Sequence, residues 1–317
     1  MESKSRCTLN EPWPWQGIES SQAAKMLGSV RPDAGAMHLE PLGLGDFCLA
    51  FREDEQVIRV ARHAEAAAAL RRETCVLARI ADRLPLTVPR LAFFEPPGCP
   101  PYTVHRAVNG VVLTRELWDG LPASAQNQIA EGLANFLLAL HELPVEIGQA
   151  CGLERLSAST LVEDLRGTVR EAAHDTIWAR LGAGDQRRWN AFLTGAAQQL
   201  DHWRPPALIH CDIAPGHVFC DPASGQLTGI IDFGDLAIGS PARDFIYIYE
   251  DFGPDLLSAV LDRYAGNSTQ KLLSETRQWY LLETAAWTAE MHAAGRAGDV
   301  AHGLAEMRRE LAWIVGE

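Results

Sequence analysis

Hydrophobic and polar positions alternate along the first third of the chain, and a helical period replaces this alternation along most of the rest. Residues 37–61 alternate as two predicted strands joined by a turn, and residues 64–82 carry apolar side chains at helical spacing. Strands are also predicted at 86–94 and 102–105, around a loop rich in proline and glycine. The pattern therefore predicts a small β-rich lobe with one helix over residues 29–105.

The pattern beyond residue 110 is mainly helical. Ile129, Leu133 and Leu140 share one face of a helix predicted over residues 122–141. Two or three helices are predicted over 151–205, a hairpin follows, and helices fill the remainder. The predicted fold class is α+β with two lobes, in four segments: a leader (1–28), the small lobe (29–105), a connector (106–110) and a larger, mainly helical lobe (111–317).

The composition indicates which classes of binding partner to expect. The 317 residues are 47% hydrophobic, which is enough for two domain cores, and 41 acids against 28 bases give a net charge of −13. Nucleic acid is not an expected partner, because affinity for phosphate backbones depends on lysine and arginine. An acidic surface instead attracts a cationic small molecule, although solubility alone also accounts for the charge.

The chain shows no secretory-signal pattern and no apolar run of about 18 residues. Its seven cysteines include no CxxC pair, which favours reduced thiols. We therefore expect a cytoplasmic monomer that has no membrane partner.

The most informative motif is residues 210–217 followed by residues 230–235. Asp212 and Asp232 each follow a predicted buried strand, and a hairpin separates them. One such carboxylate can accept a hydrogen bond from a substrate hydroxyl, and the other can hold Mg²⁺. Asp212 is the candidate catalytic base, and Asp232 and His217 are candidate metal ligands, with turn-capping aspartates and a structural histidine as the alternatives. A protonated His217 cannot ligate, so metal binding is expected to weaken at low pH.

A possible phosphate site lies in the small lobe. Gly43 and Gly45 lie between two predicted strands, where backbone N–H groups would approach phosphates, although a Gly-x-Gly is usually only a turn. Arg59 lies in the next strand, and its fixed charge and planar fork suit phosphate. Glu73 on the following helix would pair with Arg59. The alternative is an exposed ion pair worth about 0–1 kcal/mol.

Acidic residues cluster further along the chain. Several carboxylates beside an aromatic ring would hold a polyamine or an amino sugar, and a solvated helix face is the alternative. Asp244 is expected to stabilise its loop rather than contact a ligand. The candidate substrate residues are Asp235, Glu250, Asp251, Glu283 and Trp287.

These motifs resemble those of the aminoglycoside phosphotransferases, which are antibiotic kinases with a bilobal, protein-kinase-like fold. The resemblance rests on His-x-Asp-x-x-x-x-His at 210–217, Ile-Ile-Asp-Phe-Gly-Asp at 230–235 and Ser-Pro-Ala-Arg-Asp-Phe at 240–245. It covers most of residues 37–310 and is greatest for the 2″-phosphotransferase branch. Macrolide phosphotransferases are also similar and share the Pro-Gly-His sequence at 215–217.

The resemblance implies a resistance enzyme that transfers the γ-phosphoryl group of ATP or GTP to a hydroxyl of an aminoglycoside, with Mg²⁺ as cofactor. Asp212 would orient the acceptor hydroxyl, while His217 and Asp232 would hold the metal. The alternatives are a macrolide phosphotransferase, another small-molecule kinase of the same fold, and a catalytically silent kinase-like binding protein.

The same resemblance implies a nucleotide site in the small lobe. Arg59 stands where the family usually has lysine. The nucleotide base would lie against the connector. The implied nucleotide-binding residues are Gly43, Gly45, Arg59, Glu73, His105 and Val108.

Overall fold

The computed structural model describes residues 14–15, 18–30, 39–45, 47–170, 178–202 and 204–314. Most of the leader and Asp46 of the glycine segment therefore lie outside the described residues. Contacts divide the chain into two compact units: residues 1–82 with 87–108, and residues 83–86 with 109–317. We call these unit 1 and unit 2.

Unit 1 is built on a five-stranded antiparallel sheet in the order β1-β2-β3-β5-β4. Its elements are α1 (Ser20–Val30), β1 (Glu40–Leu44), β2 (Cys48–Glu53), β3 (Gln56–Ala61), α2 (Ala64–Ile80), β4 (Ala92–Phe94) and β5 (Tyr102–Arg106). Residues 37–61 thus contribute three strands rather than the predicted two, because Gly43 lies within β1 and pairs with Ala50. An irregularity in pairing between Pro41 and Gly43 accommodates this register.

Two local features explain the helices of unit 1. The alanine-rich α2 begins after His63, whose Nδ1 accepts a hydrogen bond of 3.2 Å from the backbone N–H of Ala66. Helix α1, in the leader, buries Ala23 and Leu27 in the same hydrophobic cluster as Leu49 of β2. The described part of the leader therefore packs into the core of unit 1.

Unit 2 is mainly helical. Its elements are β6 (Val111–Val112), α3 (Arg115–Gly120), α4 (Ala123–His141), α5 (Val145–Ala150), α6 (Ala158–Arg170), α7 (Ala183–Thr194), α8 (Ala196–Gln199), β7 (Ala207–Ile209), β8 (Val218–Asp221), β9 (Gln226–Ile230), β10 (Ala237–Gly239), α9 (Pro254–Ala265), α10 (Thr269–Ala293) and α11 (Ala297–Ile314). A 3₁₀ turn at Pro241–Phe245 and a π-helical turn at Ile248–Phe252 precede α9. The apolar face of α4 is fully buried at Ile129, Leu133 and Leu137, as its period predicts.

Short strands of unit 2 end at the loops that carry the acids of the motif. Strands β8 and β9 form the expected hairpin, with β6 beside β8, and β7 pairs with β10. The loop after β7 carries Asp212, and the loop after β9 carries Asp232. The sheet ends therefore determine where the two carboxylates lie.

The state of the cysteines differs in part from the sequence prediction. Cys48, Cys99, Cys211 and Cys220 are free, whereas Cys75 and Cys151 are disulfide-bonded. The expectation of reduced thiols is wrong at those two positions, because spacing along the chain does not reveal which cysteines lie close in space.

Within the described ranges, no helix has the length and apolar character that crossing a membrane requires.

Candidate active site

A buried aspartate stabilises the loop that carries Asp212. Asp244, on the 3₁₀ turn before α9, accepts hydrogen bonds from the backbone N–H groups of His210 at 2.9 Å and Cys211 at 2.7 Å. His141, at the end of α4, lies 2.9 Å from the same carboxylate. Burial by itself raises the pKa of Asp244, but the hydrogen bond and charge of His141 outweigh it and leave that pKa below its ordinary value. Asp244 therefore stabilises this loop as an anion, in agreement with the role expected for it.

His210 connects the two loops that carry the acids. Its buried ring accepts a hydrogen bond at Nδ1 from the backbone N–H of Asp212 at 3.2 Å, and its Nε2 donates to the Ile231 carbonyl at 3.2 Å. Burial lowers the pKa of His210, which favours the neutral ring that this pair of bonds requires. The ring also packs against Phe233, with centroids 4.4 Å apart. His210 thus couples the position of Asp212 to the loop that carries Asp232.

Asp212, His217 and Asp232 come together in space. Atoms of all three that could ligate a metal ion lie within 4.8 Å of one another. His217 Nδ1 lies 3.1 Å from a carboxylate oxygen of Asp212, and His217 Nε2 lies 3.6 Å from a carboxylate oxygen of Asp232. Asp232 has a φ of 63°, a left-handed conformation that is uncommon outside glycine and recurs at functional sites. Two carboxylates and an imidazole in this arrangement form a donor set that can hold a divalent cation.

The imidazole of His217 carries a proton in this arrangement. Burial by itself lowers its pKa, but the hydrogen bond to Asp212 and the negative charges of Asp212 and Asp232 outweigh it and raise the pKa to about 9. His217 is therefore cationic at neutral pH and bridges the two acids.

A pH dependence of stability follows from this raised pKa. In the absence of metal, the contribution of His217 is fully present below its ordinary pKa of about 6.5 and is lost as the pH rises through about 9. We expect the free energy of unfolding to fall by on the order of 3 kcal/mol over that range from this group. Urea unfolding in a chelator at pH 6.5 and pH 9 measures it. The His217→Asn variant should show a smaller fall, and an equal fall in both proteins would contradict the assignment.

Unit 1 holds the residues expected to bind nucleotide. Arg59 of β3 donates from one nitrogen to both carboxylate oxygens of Glu73 on α2, at 2.8 and 2.9 Å. The side chain of Glu73 is fully buried and that of Arg59 is 15% exposed, so the alternative of an exposed ion pair is wrong. Thr103 of β5 lies directly opposite Arg59 in the sheet, and its buried hydroxyl has no hydrogen-bond partner among the described residues.

The other predicted residues of unit 1 lie on or next to strands β1 and β5. Gly43 is exposed within β1, and the Gly45 N–H donates to the Cys48 carbonyl at 3.1 Å. His105 is buried on β5, with its Nδ1 2.9 Å from the Arg106 carbonyl, and Val108 follows β5 half-buried.

Three of the five predicted substrate residues line one cavity of unit 2. Glu250, Glu283 and Trp287 face a space of about 370 Å³, which we call the acceptor cavity. Arg243 donates to Glu283 at 2.6 Å, so the charge of Glu283 is already compensated. Asp235 and Asp251 do not line this cavity.

Tyr247 is a residue of this region that the sequence did not identify. It lines the acceptor cavity, and burial followed by the negative charges of Asp212, Glu283 and Glu250 raises the pKa of its hydroxyl. Tyr247 is therefore a neutral hydroxyl donor close to both Asp212 and the cavity acids. Its position three residues after Asp244, just beyond the 3₁₀ turn, was the available signal.

The chain is similar in sequence and in fold to known phosphotransferases. Residues 50–282 match the sequence profile of the phosphotransferase enzyme family. An aminoglycoside 3'-phosphotransferase of Streptomyces fradiae is 29% identical over 200 residues, which are 59% of this chain and 69% of that protein. The structure of the GDP and kanamycin complex of APH(2")-IIia aligns with a TM-score of 0.80 at 24% identity, over 91% of this chain and 98% of that one. A macrolide 2'-phosphotransferase of Brachybacterium faecium aligns with a TM-score of 0.61 at 20% identity, over 90% and 97% of the two chains. These likenesses confirm the predicted α+β, kinase-like fold.

Proposed function

Because the chain belongs to the phosphotransferase enzyme family, we propose that it transfers the γ-phosphoryl group of ATP or GTP to a hydroxyl of an aminoglycoside. This proposal rests on the proximity of Asp212, His217 and Asp232 in the structure. Phosphoryl transfer depends on positioning and on charge neutralisation more than on covalent participation of the protein, and this cluster supplies both.

Each member of the cluster has a separate role in the proposal. Asp212 accepts a hydrogen bond from the acceptor hydroxyl and orients the oxygen toward the γ-phosphate, on a loop that Asp244 and His210 keep in place. Asp232 and His217 would hold Mg²⁺, with His217 as the neutral imidazole, because a protonated ring nitrogen cannot ligate. When bound, Mg²⁺ would neutralise negative charge on the phosphates.

The nucleotide is assigned to residues of unit 1. Arg59 binds phosphate oxygens in this proposal, and Glu73 holds its guanidinium in a single orientation. Backbone N–H groups near Gly43 and Gly45 approach the phosphates, and the chain at His105 and Val108 contacts the base.

Loss of the Arg59 guanidinium should weaken nucleotide binding specifically. We expect the Arg59→Met/Glu73→Gln double variant to raise the KM for nucleotide by roughly tenfold to a hundredfold relative to Glu73→Gln alone, because a hydrogen bond to a charged group contributes about 1.5–3 kcal/mol. The double variant avoids a buried, unpaired carboxylate, and Glu73→Gln retains the arginine. Steady-state kinetics with varied nucleotide measure the difference, and equal KM values in the two variants would remove Arg59 from the phosphate site.

The acceptor is assigned to unit 2. Glu250 is exposed at the acceptor cavity, Trp287 supplies an aromatic surface, and Tyr247 supplies a hydroxyl donor. An aminoglycoside presents ammonium groups and sugar hydroxyls, which match carboxylates, hydroxyls and an aromatic face. Asp235 adds negative potential because its charge acts on Tyr247, and Asp251 lies close to Asp212, since burial and then the charge of Asp212 raise the pKa of Asp251.

A substrate panel tests the proposal directly. The purified protein is incubated with Mg²⁺, ATP or GTP, and a set of aminoglycosides and macrolides, and phosphorylated products are detected by mass spectrometry. Phosphorylation of an aminoglycoside is the expected result. Phosphorylation of macrolides alone would favour the alternative, and nucleotide binding without any product would favour a catalytically silent binding protein.

A further inference from the structure

A second and larger cavity lies beside the acceptor cavity in unit 2. Its volume is about 710 Å³, against about 370 Å³ for the acceptor cavity. Both values fall within the range of roughly 300–1,000 Å³ that is usual for small-molecule sites. Four residues line both cavities and thus form a shared wall: Glu250, Tyr280, His302 and Glu306. The larger space, which we call the distal cavity, has no role in the proposed transfer reaction.

The shared wall is suited to an ammonium group. The Tyr280 hydroxyl donates to Glu306 at 2.9 Å, and Arg309 also contacts that carboxylate at 2.5 Å. Glu250 lines both cavities together with Glu306, and partial burial, then the charges of Asp251 and Glu306, raise the pKa of Glu250, which indicates electrostatic repulsion at the wall. A cation between Glu250 and Glu306 would relieve that repulsion.

The remainder of the distal cavity has an apolar part among several polar side chains, and its two arginines are already paired. Leu257 and Leu261 of α9 contribute side chains to it, together with Pro254 and Leu273. Arg277, which also lines it, is bonded to the fully buried Glu310 at 2.7 Å and lies 3.8 Å over the ring of Trp313. An anion would have to compete with Glu310 for Arg277, whereas an alkyl or aryl group would bury apolar surface without breaking an ion pair.

We infer that the distal cavity is a second compartment of the acceptor site, which holds an apolar substituent of a cationic acceptor while an ammonium group of that acceptor binds at the shared wall. The inference rests on the proposed function for the neighbouring acceptor cavity. It goes beyond that function in naming the substrate class: an amino sugar that carries an alkyl or aryl group.

Calorimetry with kanamycin and its singly N-hexylated isomers tests the inference. Each buried methylene strengthens binding by about fourfold, so the hexyl group of the isomer that reaches the cavity should lower the Kd at least tenfold relative to kanamycin. Failure of every hexyl isomer to bind more tightly than kanamycin, or at all, would overturn the inference.

Two tryptophan substitutions on α9 test whether the tighter binding of the hexyl isomer depends on the distal cavity. Ser258 is exposed and lines the distal cavity, so Ser258→Trp should occlude it at little cost to folding. Asp262 is exposed on the same helix and lines neither cavity, so Asp262→Trp is the matched control. We expect Ser258→Trp to abolish the advantage of the hexyl isomer while the Kd of kanamycin changes by less than about twofold, and Asp262→Trp to preserve it. Equal losses for both ligands in Ser258→Trp would contradict a separate compartment.

Separate measurements test the proposed function and the role of the distal cavity. If the unmodified protein phosphorylates no aminoglycoside of the panel, the aminoglycoside assignment is contradicted. The calorimetric difference between kanamycin and its hexyl isomers still decides whether the distal cavity accepts an apolar substituent.

Discussion

Replacing Asp212 by asparagine is expected to lower kcat for acceptor phosphorylation by about 10³-fold, within the range of about 10²–10⁴ that a positioned proton acceptor contributes. The amide keeps the shape of the side chain but cannot take a proton from the acceptor hydroxyl. The KM for nucleotide should change little, because Arg59 and its neighbours remain intact. Initial rates with saturating Mg²⁺, nucleotide and aminoglycoside measure the effect.

Two controls make the Asp212 result specific. Asp262→Asn removes one carboxylate from an exposed position of α9 and should leave kcat within about twofold. Thermal unfolding of Asp212→Asn should show an intact fold, because the loop is held through the backbone of His210 and Cys211 rather than through the Asp212 side chain. More than a tenth of the original kcat in a folded Asp212→Asn protein would remove Asp212 as the base.

Replacing Asp244 by alanine should cause the largest loss of stability, about 3–5 kcal/mol of the free energy of unfolding. This carboxylate is buried and makes three contacts, to the N–H groups of His210 and Cys211 and to the ring of His141. Its removal leaves two buried donors unsatisfied and an imidazole without its partner, and each such loss is costly in an interior of low dielectric. Urea unfolding at neutral pH measures the change.

An exposed aspartate provides the comparison for Asp244. Asp82 pairs with Arg90 on the surface, where both side chains are largely exposed. Asp82→Ala should therefore leave the free energy of unfolding almost unchanged. If Asp244→Ala proved as mild as Asp82→Ala, the loop could not depend on the buried carboxylate. Activity should also fall in Asp244→Ala, because the loop that carries Asp212 loses its support.

Much of the fold could be predicted from local patterns. The apolar period of residues 122–141 predicted α4 to within one residue, and the turn between residues 221 and 225 predicted the hairpin of β8 and β9. The acid motifs indicated the phosphotransferase family, which the match over residues 50–282 confirms. Short-range signals of this kind are reliable because caps, turns and apolar faces act over a few residues.

The sequence could not predict contacts between residues that lie far apart along the chain. Gly43 reads as a turn residue, yet pairing with Ala50 places it in a strand. An exposed ion pair was the alternative for Arg59 and Glu73, and only packing buries the carboxylate of Glu73. Glu283 was predicted as a substrate residue, and only the structure shows that Arg243 donates a hydrogen bond to it from another element. Spacing along the chain carries no information about such contacts.

The sequence by itself determined the chemistry that is available: two acids and a histidine after buried strands, in an acidic chain with a phosphotransferase pattern. Only the tertiary structure decided how those groups act on one another. It placed His217 between Asp212 and Asp232, which raises the pKa of His217 to about 9, and it set the distal cavity beside the acceptor cavity. The physical reason is that electrostatic coupling and cavity shape depend on distances of a few ångströms between residues far apart in sequence, whereas local structure depends on neighbours along the chain.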